Sequence, residues 1–318
     1  MIIRFGYVAM ALEIQEGSPN KTVTATNLLK LPESEDKIGR LRRLTRTNLE
    51  NQLRVLRYNR GNQIHVFRIT SKLVPLATHP ISAGWDFLKE FSAELEEIGA
   101  YIKGNNMRIS AHPDHFSLLN SPKDEVIAAS VADLHYHAGV FDAMGLGAES
   151  KLVLHVGGLY KEKEQAVDRF KRNFNALPDN IKGRIILEND DKSYTAADVL
   201  RLCRELSIPM VLDVHHHECC NGGQDIGEML PGIFATWKDM PPKIHLSSPK
   251  DGKNVRAHAD FVKLEDFTKF LNIAKESCDT DFDVMIEAKQ KDRALHALMK
   301  ELENVPGVKI LEQATIEY

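Results

Sequence analysis

The sequence predicts an α/β protein that folds as a single (β/α)8 barrel, the TIM-barrel architecture. Three observations predict this fold. Short apolar segments typical of buried strands recur along the chain, a helical pattern follows each of them, and acidic residues and histidines cluster where the strands end. Right-handed crossovers between apolar parallel strands favour a closed barrel, and 318 residues suffice for one with an N-terminal addition.

Composition and charge limit the class of protein. Hydrophobic residues make up 43% of the chain, and no apolar run is long enough to cross a bilayer. The N-terminus lacks a secretion signal and the four cysteines show no CxxC spacing, so we expect a cytoplasmic protein with free thiols. The net charge of -4 argues against charge-driven, non-specific nucleic-acid binding, but it allows a local positive face made by bound metal ions.

The N-terminal region predicts one strand and one long helix. Residues 2–8 form an apolar strand pattern, and residues 12–36 carry the glycine and prolines of a long loop. Residues 37–60 place leucines at helical spacing, and the arginines between them are typical of a solvated face. We therefore expect a loop and helical insert at about residues 12–60 within one domain of residues 1–318.

The rest of the chain alternates between strand and helix patterns. Together with residues 2–8 there are eight predicted strands, the others being 64–69, 107–111, 151–156, 184–187, 209–213, 243–246 and 283–286. The helices that follow these seven are predicted at 85–103, 123–144, 161–177, 195–206, 225–239, 264–277 and 290–302. A doubly wound open sheet is the alternative, but no glycine-rich phosphate loop follows the first strand.

One strand ends in a run of possible metal ligands. The apolar segment that begins at Pro209 delivers Asp213 and His216 together, an oxygen and a nitrogen donor that divalent Zn, Mn, Fe or Co would accept. Strand alternation would instead place His215 and His217 on the face of Asp213, whereas a turn after the strand would bring His216 back. The spacing leaves both arrangements open.

The same residue types follow the other strands. In a barrel the carboxyl ends of the strands converge, so the donors there form one set: His79, His112, His155, Glu188, Asp213, His216, His245, His258 and Glu287. Each taken alone has a simpler interpretation, such as a core histidine, an exposed loop or a helix cap. Nine together exceed the three protein ligands of a typical catalytic zinc. The set predicts two or three metal ions, with Glu188 as a bridging carboxylate and phosphate-ester hydrolysis as the chemistry.

Lys243 lies two residues before His245 and therefore points to the same face of its strand. A lysine inside a barrel lined by metal ligands would orient a phosphate or be carboxylated into an extra ligand. The alternative is an amine that reaches the opposite rim of the barrel.

The motifs at the strand ends resemble those of the UV damage endonuclease family, whose TIM barrel is akin to xylose-isomerase-like enzymes and apurinic endonucleases. They extend nearly from end to end, and the most distinctive are Thr78-His-Pro80 and His258-Ala-Asp260. The others are Arg4-Phe-Gly-Tyr7, Phe67-Arg-Ile-Thr-Ser71, Ala111-His-Pro113, Leu154-His-Val-Gly-Gly158, Leu187-Glu-Asn-Asp190, Leu212-Asp-Val-His-His216, Lys243-Ile-His-Leu-Ser247 and Ile286-Glu-Ala-Lys289.

The resemblance implies a metal-dependent DNA repair endonuclease that prefers Mn2+, with Zn2+, Co2+ or Mg2+ as alternatives. Such an enzyme nicks duplex DNA immediately 5′ to cyclobutane pyrimidine dimers and 6-4 photoproducts. Metal-activated hydroxide attacks the phosphodiester, and the products carry 3′-hydroxyl and 5′-phosphate ends. The implied partner is UV-damaged duplex DNA, bound by a monomer without a membrane or an obligate protein partner.

By motif position, the family's metal ligands fall on the nine residues of the donor set, which resolves the choice at His216 by analogy. Glu188, Lys243 and His245 are the implied catalytic residues, and Lys243 falls on a lysine that is modified in the family. Tyr7, His115 and Phe116 are the implied DNA-binding residues. This chain has His115 where relatives often carry glutamine, and Met10-Ala11 where some carry asparagine.

Two other functions fit the barrel. A two-metal sugar isomerase would need fewer ligands and has no use for Tyr7 and Phe116 as wedges. A non-catalytic DNA- or metal-binding protein would not need the complete ligand set. Cleavage of DNA without turnover of sugars would exclude the first, and lesion binding without cleavage would support the second.

Overall fold

The computed structural model describes residues 1–32, 34–114 and 116–318, except the side chains of residues 34 and 35. Within these residues, eight parallel strands pair in chain order, and β8 pairs with β1 to close the barrel. The strands are β1 (Ile2–Ala9), β2 (Val66–Ile69), β3 (Arg108–Ala111), β4 (Lys151–His155), β5 (Ile185–Glu188), β6 (Met210–Asp213), β7 (Lys243–Leu246) and β8 (Phe282–Ile286). The predicted TIM barrel is confirmed.

Helices surround the barrel and connect its strands. They are α1 (Ala25–Leu28), α2 (Ser34–Gly61), α3 (Phe87–Glu90), α4 (Ser92–Gly104), α5 (Asp124–Ala143), α6 (Lys163–Asn175), α7 (Asp179–Lys182), α8 (Ala196–Leu206), α9 (Val214–Cys219), α10 (Ile226–Ala235), α11 (Leu264–Ser277) and α12 (Lys291–Leu302). The helix predicted at 85–103 is two helices, because Phe91 leaves helical geometry at φ -108° and ψ 23°.

Helix α2 is the long helix between β1 and β2, and it packs against the barrel with one face while the other faces solvent. Its leucines join the core, as the spacing predicts. The arginines do more than face solvent, since Arg46 pairs with Glu94 of α4 at 2.7 Å and Arg57 with Glu97 at 3.4 Å. The buried amide of Asn48 donates to the carbonyl of Lys21 at 2.9 Å and so ties down the preceding loop.

Alternate residues of the strands fill the barrel. An apolar layer of Val153, Ile186 and Val211 packs on the indole of Trp237. At the amino end of the strands, Asp283 is fully buried and accepts hydrogen bonds from Arg4 Nε at 2.8 Å and from Arg108. The interior therefore has an ionic floor, an apolar middle layer and, at the carboxyl ends, the cluster described below.

The chain ends in a hairpin that the sequence patterns did not predict. Strands β9 (Lys309–Glu312) and β10 (Thr315–Glu317) are antiparallel, and β10 pairs antiparallel with the start of β1, where Ile316 lies opposite Ile3. Across the described part of the chain, no helix combines the length and apolar character needed to cross a membrane.

Candidate metal centre

Glu188 occupies the centre of the carboxyl-terminal mouth of the barrel. It is the last residue of β5, and its side chain is 1% exposed. Its carboxylate belongs to three groups of donor atoms, each group lying within 4.8 Å. Seven of the nine predicted ligands form these groups: His112, His155, Glu188, Asp213, His216, His245 and Glu287.

The first group joins Glu188 to the ends of β3 and β4. His112 Nε2 lies 3.4 Å and His155 Nε2 3.6 Å from Glu188 Oε2. The two imidazole rings are tilted against each other, with centroids 5.2 Å apart. Since both rings present Nε2 to one carboxylate oxygen, they converge on a position that a cation would fill.

The second group arises because the chain turns into a helix directly after β6. Asp213 caps α9 by accepting a hydrogen bond from the backbone N–H of His216 at 2.7 Å. This turn brings His216 Nδ1 to 3.7 Å from Asp213 Oδ2 and 3.8 Å from Glu188 Oε1. His215 and His217 are also buried, but neither belongs to the three donor groups. Of the two open arrangements, the structure has the one that uses His216.

The third group lies toward β7 and β8. His245 Nδ1 contacts Glu188 Oε1 at 2.7 Å and Glu287 Oε1 at 3.0 Å. Glu287 also forms an ion pair with Arg68 of β2. A single imidazole thus joins two buried carboxylates, and an arginine balances one of them.

Several buried atoms of the cluster are positioned to bind a cation. Glu188 Oε2, Asp213 Oδ2 and His245 Nε2 are buried, and among the described residues none of them has a hydrogen-bond partner. An unpartnered buried polar atom is costly, whereas carboxylate and imidazole donors suit divalent transition metals. The residues present therefore fit a site for metal ions.

Burial and charge shift the pKa values of the cluster in opposite directions. Burial raises the pKa of Asp213 to about 6 and lowers that of His155 to about 4. Burial would also raise the pKa of Glu188, but His245 and His155 outweigh it and hold that pKa well below its usual range. For His216, burial is outweighed by Asp213 and Glu188, and its pKa rises to about 9. Glu188 is thus an ionised donor in the middle of the cluster.

The other two predicted ligands lie outside the donor groups. His258 is in the cavity wall, with its Nδ1 2.9 Å from the carbonyl of Glu287 and its ring 6.0 Å from that of His216. His79 is exposed, and its Nδ1 accepts a hydrogen bond from the N–H of Ile81 at 3.1 Å as the cap of the 3-10 helix Pro80–Ser82. The structure brings His258 to the edge of the cluster but not His79.

Lys243 lies beneath the cluster, where it is 2% exposed and donates to Ser110 Oγ at 3.3 Å. This burial rules out the alternative in which the amine reaches the opposite rim. Burial and the nearby Arg108 lower the pKa of Lys243 to about 7, with Asp283 acting in the opposite sense. The amine therefore loses its proton more readily than that of an exposed lysine.

The structure corrects the expectation for Tyr7 and supports a surface position for Phe116. Tyr7 is fully buried, and its hydroxyl donates to Asn59 Oδ1 of α2 at 2.5 Å, so it cannot reach a duplex in this conformation. Burial raises the pKa of that hydroxyl well above its usual value. Phe116, in the loop after β3, is 53% exposed. His115 lies outside the described residues.

Backbone contacts hold the Phe116 loop against α5. Ser130 Oγ accepts from the N–H of Leu118 at 2.8 Å while it donates to the carbonyl of Val126 in its own helix at 2.7 Å. Ser117 donates to Asp133 Oδ2 at 2.5 Å. The exposed ring is therefore carried by a loop with a fixed base.

Three residues at the mouth were missed from sequence. Arg68 shares the inward face of β2 with Val66, a strand alternation that could have revealed it. Asn189 exchanges two hydrogen bonds of 2.9 Å with the backbone of Asp213 and so fixes β5 against β6; its only signal was its place after Glu188. Lys291 lines the cavity beyond β8, and the helical pattern at 290–302 gave no signal that singled it out.

A cavity of about 600 Å³ opens above the cluster. Side chains of the donor groups form its floor, and Arg68, Lys72 and Lys291 are the cations in its wall. Such a site can hold divalent ions at the bottom of an open cleft, next to positive side chains. Divalent ions and nearby cations suit hydrolysis of a large anionic polymer.

Comparisons with known proteins agree with this chemistry. The family described as UV-endonuclease UvdE matches residues 3–318. UV DNA damage endonucleases of Bacillus thuringiensis subsp. konkukian (strain 97-27) and Bacillus cereus (strain Q1) are 42% and 43% identical, with 100% of both chains covered in each comparison.

Two solved structures place the fold. The SacUVDE crystal structure superposes with a TM-score of 0.83 at 33% identity, over 95% of this chain and 100% of that one. Endonuclease IV from Thermus thermophilus, at 16% identity with a TM-score of 0.53 and coverage of 95% and 100%, shares the fold alone. The chain therefore belongs to the UV-endonuclease UvdE family and is an endonuclease of the repair of UV-damaged DNA.

Proposed function

We propose that this endonuclease nicks duplex DNA immediately 5′ to cyclobutane pyrimidine dimers and 6-4 photoproducts, leaving 3′-hydroxyl and 5′-phosphate ends. The observation that carries the proposal is the buried carboxylate of Glu188, which belongs to three donor groups at once. The donor atoms around Glu188 could bind several metal ions. Such an arrangement suits phosphodiester hydrolysis, because the attacking and the leaving oxygen both need stabilisation.

The cofactors in this proposal are two or three divalent ions, with Mn2+ preferred over Zn2+, Co2+ or Mg2+. Such ions, when bound, lower the pKa of a water and polarise the phosphodiester. The chain's part is to hold ionised donors at fixed positions, for which Glu188 and Asp213 are already buried and oriented. His258 would complete the set from the cavity wall, and His79 would do so from its loop.

Glu188, His245 and Lys243 are the proposed catalytic residues. Glu188 and His245 act as a contacting pair, since His245 Nδ1 lies 2.7 Å from the carboxylate. Lys243 is below this pair and too deeply buried to contact DNA directly. We infer that it contributes through the donors above it, either as a charge or, when carboxylated, as an additional oxygen donor.

Recognition of the lesion is assigned to the rim. Phe116 is 53% exposed and held on a fixed loop, so its ring is available to wedge into a damaged base step or to stack on a base. His115 is part of the same proposed contact. The burial of Tyr7 removes it from the proposed DNA contacts.

We infer that the enzyme acts as a monomer in the cytoplasm, on duplex DNA that carries UV damage. The donor groups are formed by one chain without residues from another, and all four cysteines are free, as in a reducing compartment.

The test is cleavage of a duplex with a single thymine dimer, with Mn2+ or with a chelator. Wild type is expected to make one metal-dependent nick on the 5′ side. Glu188→Gln is expected to lose about 100-fold or more of this activity, because the exchange removes a charge shared by three donor groups. Glu96→Gln, an exposed exchange on the outer face of α4, is the matched control and should cleave as wild type does.

Equal cleavage of undamaged duplex would contradict the lesion specificity. Absence of cleavage with any of the four divalent metals would contradict the proposed hydrolysis and return a sugar isomerase as the next function to test. Lesion binding with no cleavage under all conditions would favour a binding protein.

A further inference from the structure

Lys291, the first residue of α12, is a cation in the wall of the cavity. It is partly buried and lines the cavity with Glu188 and Glu287. Among residues 1–32, 34–114 and 116–318, it has no ion pair and no side-chain hydrogen bond. Arg68, the neighbouring cation, is already paired with Glu287. Lys291 is therefore a cation of this wall that is free to bind an incoming anion, and it differs from Lys72 in being partly buried beside Glu287.

The backbone of Lys291 is held in a conformation that lysine rarely adopts. Its φ is +50°, in the left-handed region, which is unfavourable for a residue with a side chain. Strain of this kind persists only where the surroundings determine it, and it is enriched at binding and active sites.

Contacts on both sides of Lys291 impose this conformation. On one side, the N–H of Gln290 donates to the carbonyl of Asp260 at 3.0 Å. On the other, the buried carboxylate of Asp292 accepts from the backbone N–H of Leu12 at 2.7 Å and of Glu13 at 3.2 Å. The lysine thus sits between two anchored residues, and its position relative to Glu287 is fixed.

We propose that Lys291 forms a phosphate-binding subsite that holds the DNA backbone beside the metal centre. The inference rests on the proposed function and adds to it the residue that positions the strand. A lysine ammonium binds phosphate as a point charge, and contacts of this kind fix register on a duplex without reading its sequence. Damaged and undamaged DNA should therefore lose the same contact when Lys291 is changed.

The first test measures binding without cleavage, in chelator, at several salt concentrations. Removing one phosphate contact reduces the slope of log K against log[salt] by about 1. Lys291→Gln is expected to show this reduction on damaged and undamaged duplexes, and Lys291→Arg should retain the wild-type slope. Lys300→Gln, at the far end of the same helix, makes the same change in charge and should leave the slope unchanged.

The second test measures cleavage of the single-dimer duplex with Mn2+. Lys291→Gln should raise KM about 10-fold, as expected for a lost charged contact, while kcat changes less than about 2-fold. An unchanged salt slope and KM in folded Lys291→Gln would overturn the subsite while the wild-type nick remains. A wild-type enzyme that makes no nick would instead count against the proposed function, so the two failures can be told apart.

Discussion

The charges of the buried side chains at the mouth of the barrel compensate one another only when the whole set is present. Glu188, Asp213 and Glu287 place three carboxylates in a small buried volume, where each would be unfavourable alone. Imidazoles lie between them, and Arg68 pairs with the outermost one. The balance leaves Glu188 ionised while the pKa of Asp213 is raised to about 6, so the second carboxylate is the one that a bound cation would ionise further.

The exposed ring of Phe116 is expected to provide lesion discrimination. Phe116→Ala should lower the ratio of kcat/KM on damaged over undamaged duplex by about 10-fold, since stacking on a base contributes about 1–3 kcal/mol. The metal content should not change, because Phe116 is not one of the donors. Leu311→Ala, which removes an exposed apolar side chain from β9, is the control. A ratio equal to that of wild type would show that Phe116 does not read damage.

The carboxylate of Asp133 predicts a pH-dependent contribution to stability. Burial would raise its pKa, but its contacts with His137 and Ser117 outweigh burial and lower the pKa below its ordinary value of about 4. A carboxylate whose pKa is lower in the folded state than in the unfolded state stabilises the fold at pH values above the unfolded-state pKa. This contribution is lost as the pH falls through the folded-state pKa. Asp133→Asn should therefore cost about 1–3 kcal/mol of unfolding free energy at neutral pH.

Urea unfolding at a series of pH values between about 7 and 2 checks this prediction, because the contribution is lost only below about pH 4. The difference between wild type and Asp133→Asn should shrink as the pH falls. A difference independent of pH would mean that the charge of Asp133 does not stabilise the Phe116 loop.

The positions of the outer helices depend on close approaches between their backbones. The outer helices pack tightly enough that a single atom matters at Gly99, in the middle of α4. A Cβ built there would lie 1.7 Å from the backbone carbonyl of Met144, at the end of α5. The two helices can therefore approach one another only because this residue has no side chain.

Gly99→Ala is expected to lower the free energy of unfolding by about 2–3 kcal/mol, because a backbone carbonyl must move. At Gly104, the end of the same helix, an added Cβ has no atom within 4 Å. Gly104→Ala should therefore raise the free energy of unfolding by about 0.5–1 kcal/mol. Urea unfolding of both variants measures the two effects. Equal effects would contradict the close approach between α4 and α5.

The ends of the strands show which features the sequence could predict and which it could not. Strands and helices followed from apolar period and length, so the eight strands and the donors at their ends were predictable. The direction of the chain beyond a strand was not, because it depends on a cap. His216 reaches the cluster since Asp213 accepts from its N–H, a contact between neighbours that alternation does not encode. Tyr7 was misjudged for the converse reason: its partner, Asn59, lies 52 residues away.

Across the whole molecule, the features that the sequence did not predict depend on contacts between residues that are far apart in the chain. The hairpin of β9 and β10 depends on pairing with β1 at the opposite end of the chain. Lys291 is presented to the cavity only because Asp292 is anchored by the backbone of residues 12 and 13. Such contacts form between segments that are neither periodic nor close in sequence, so no local pattern signals them.

Removal of metal should destabilise the whole fold, because Glu188 Oε2 and Asp213 Oδ2 lie in the barrel interior without a hydrogen-bond partner among the described residues. A ligand at 100 times its Kd stabilises by about 2.7 kcal/mol per site. Chelator-treated protein should melt several degrees lower than protein with Mn2+, and re-addition of the metal should restore the Tm.

The number of ions lost by each variant tests the shared carboxylate. Because Glu188 belongs to all three donor groups and His112 to one, Glu188→Gln should lose more than one bound ion per chain and His112→Gln about one. The metal-to-protein ratio from elemental analysis measures both, with Glu96→Gln as the control. A full complement of ions in Glu188→Gln, with the wild-type thermal shift, would mean that the groups bind independently. Loss of several ions from one substitution requires that a single side chain holds the centre together.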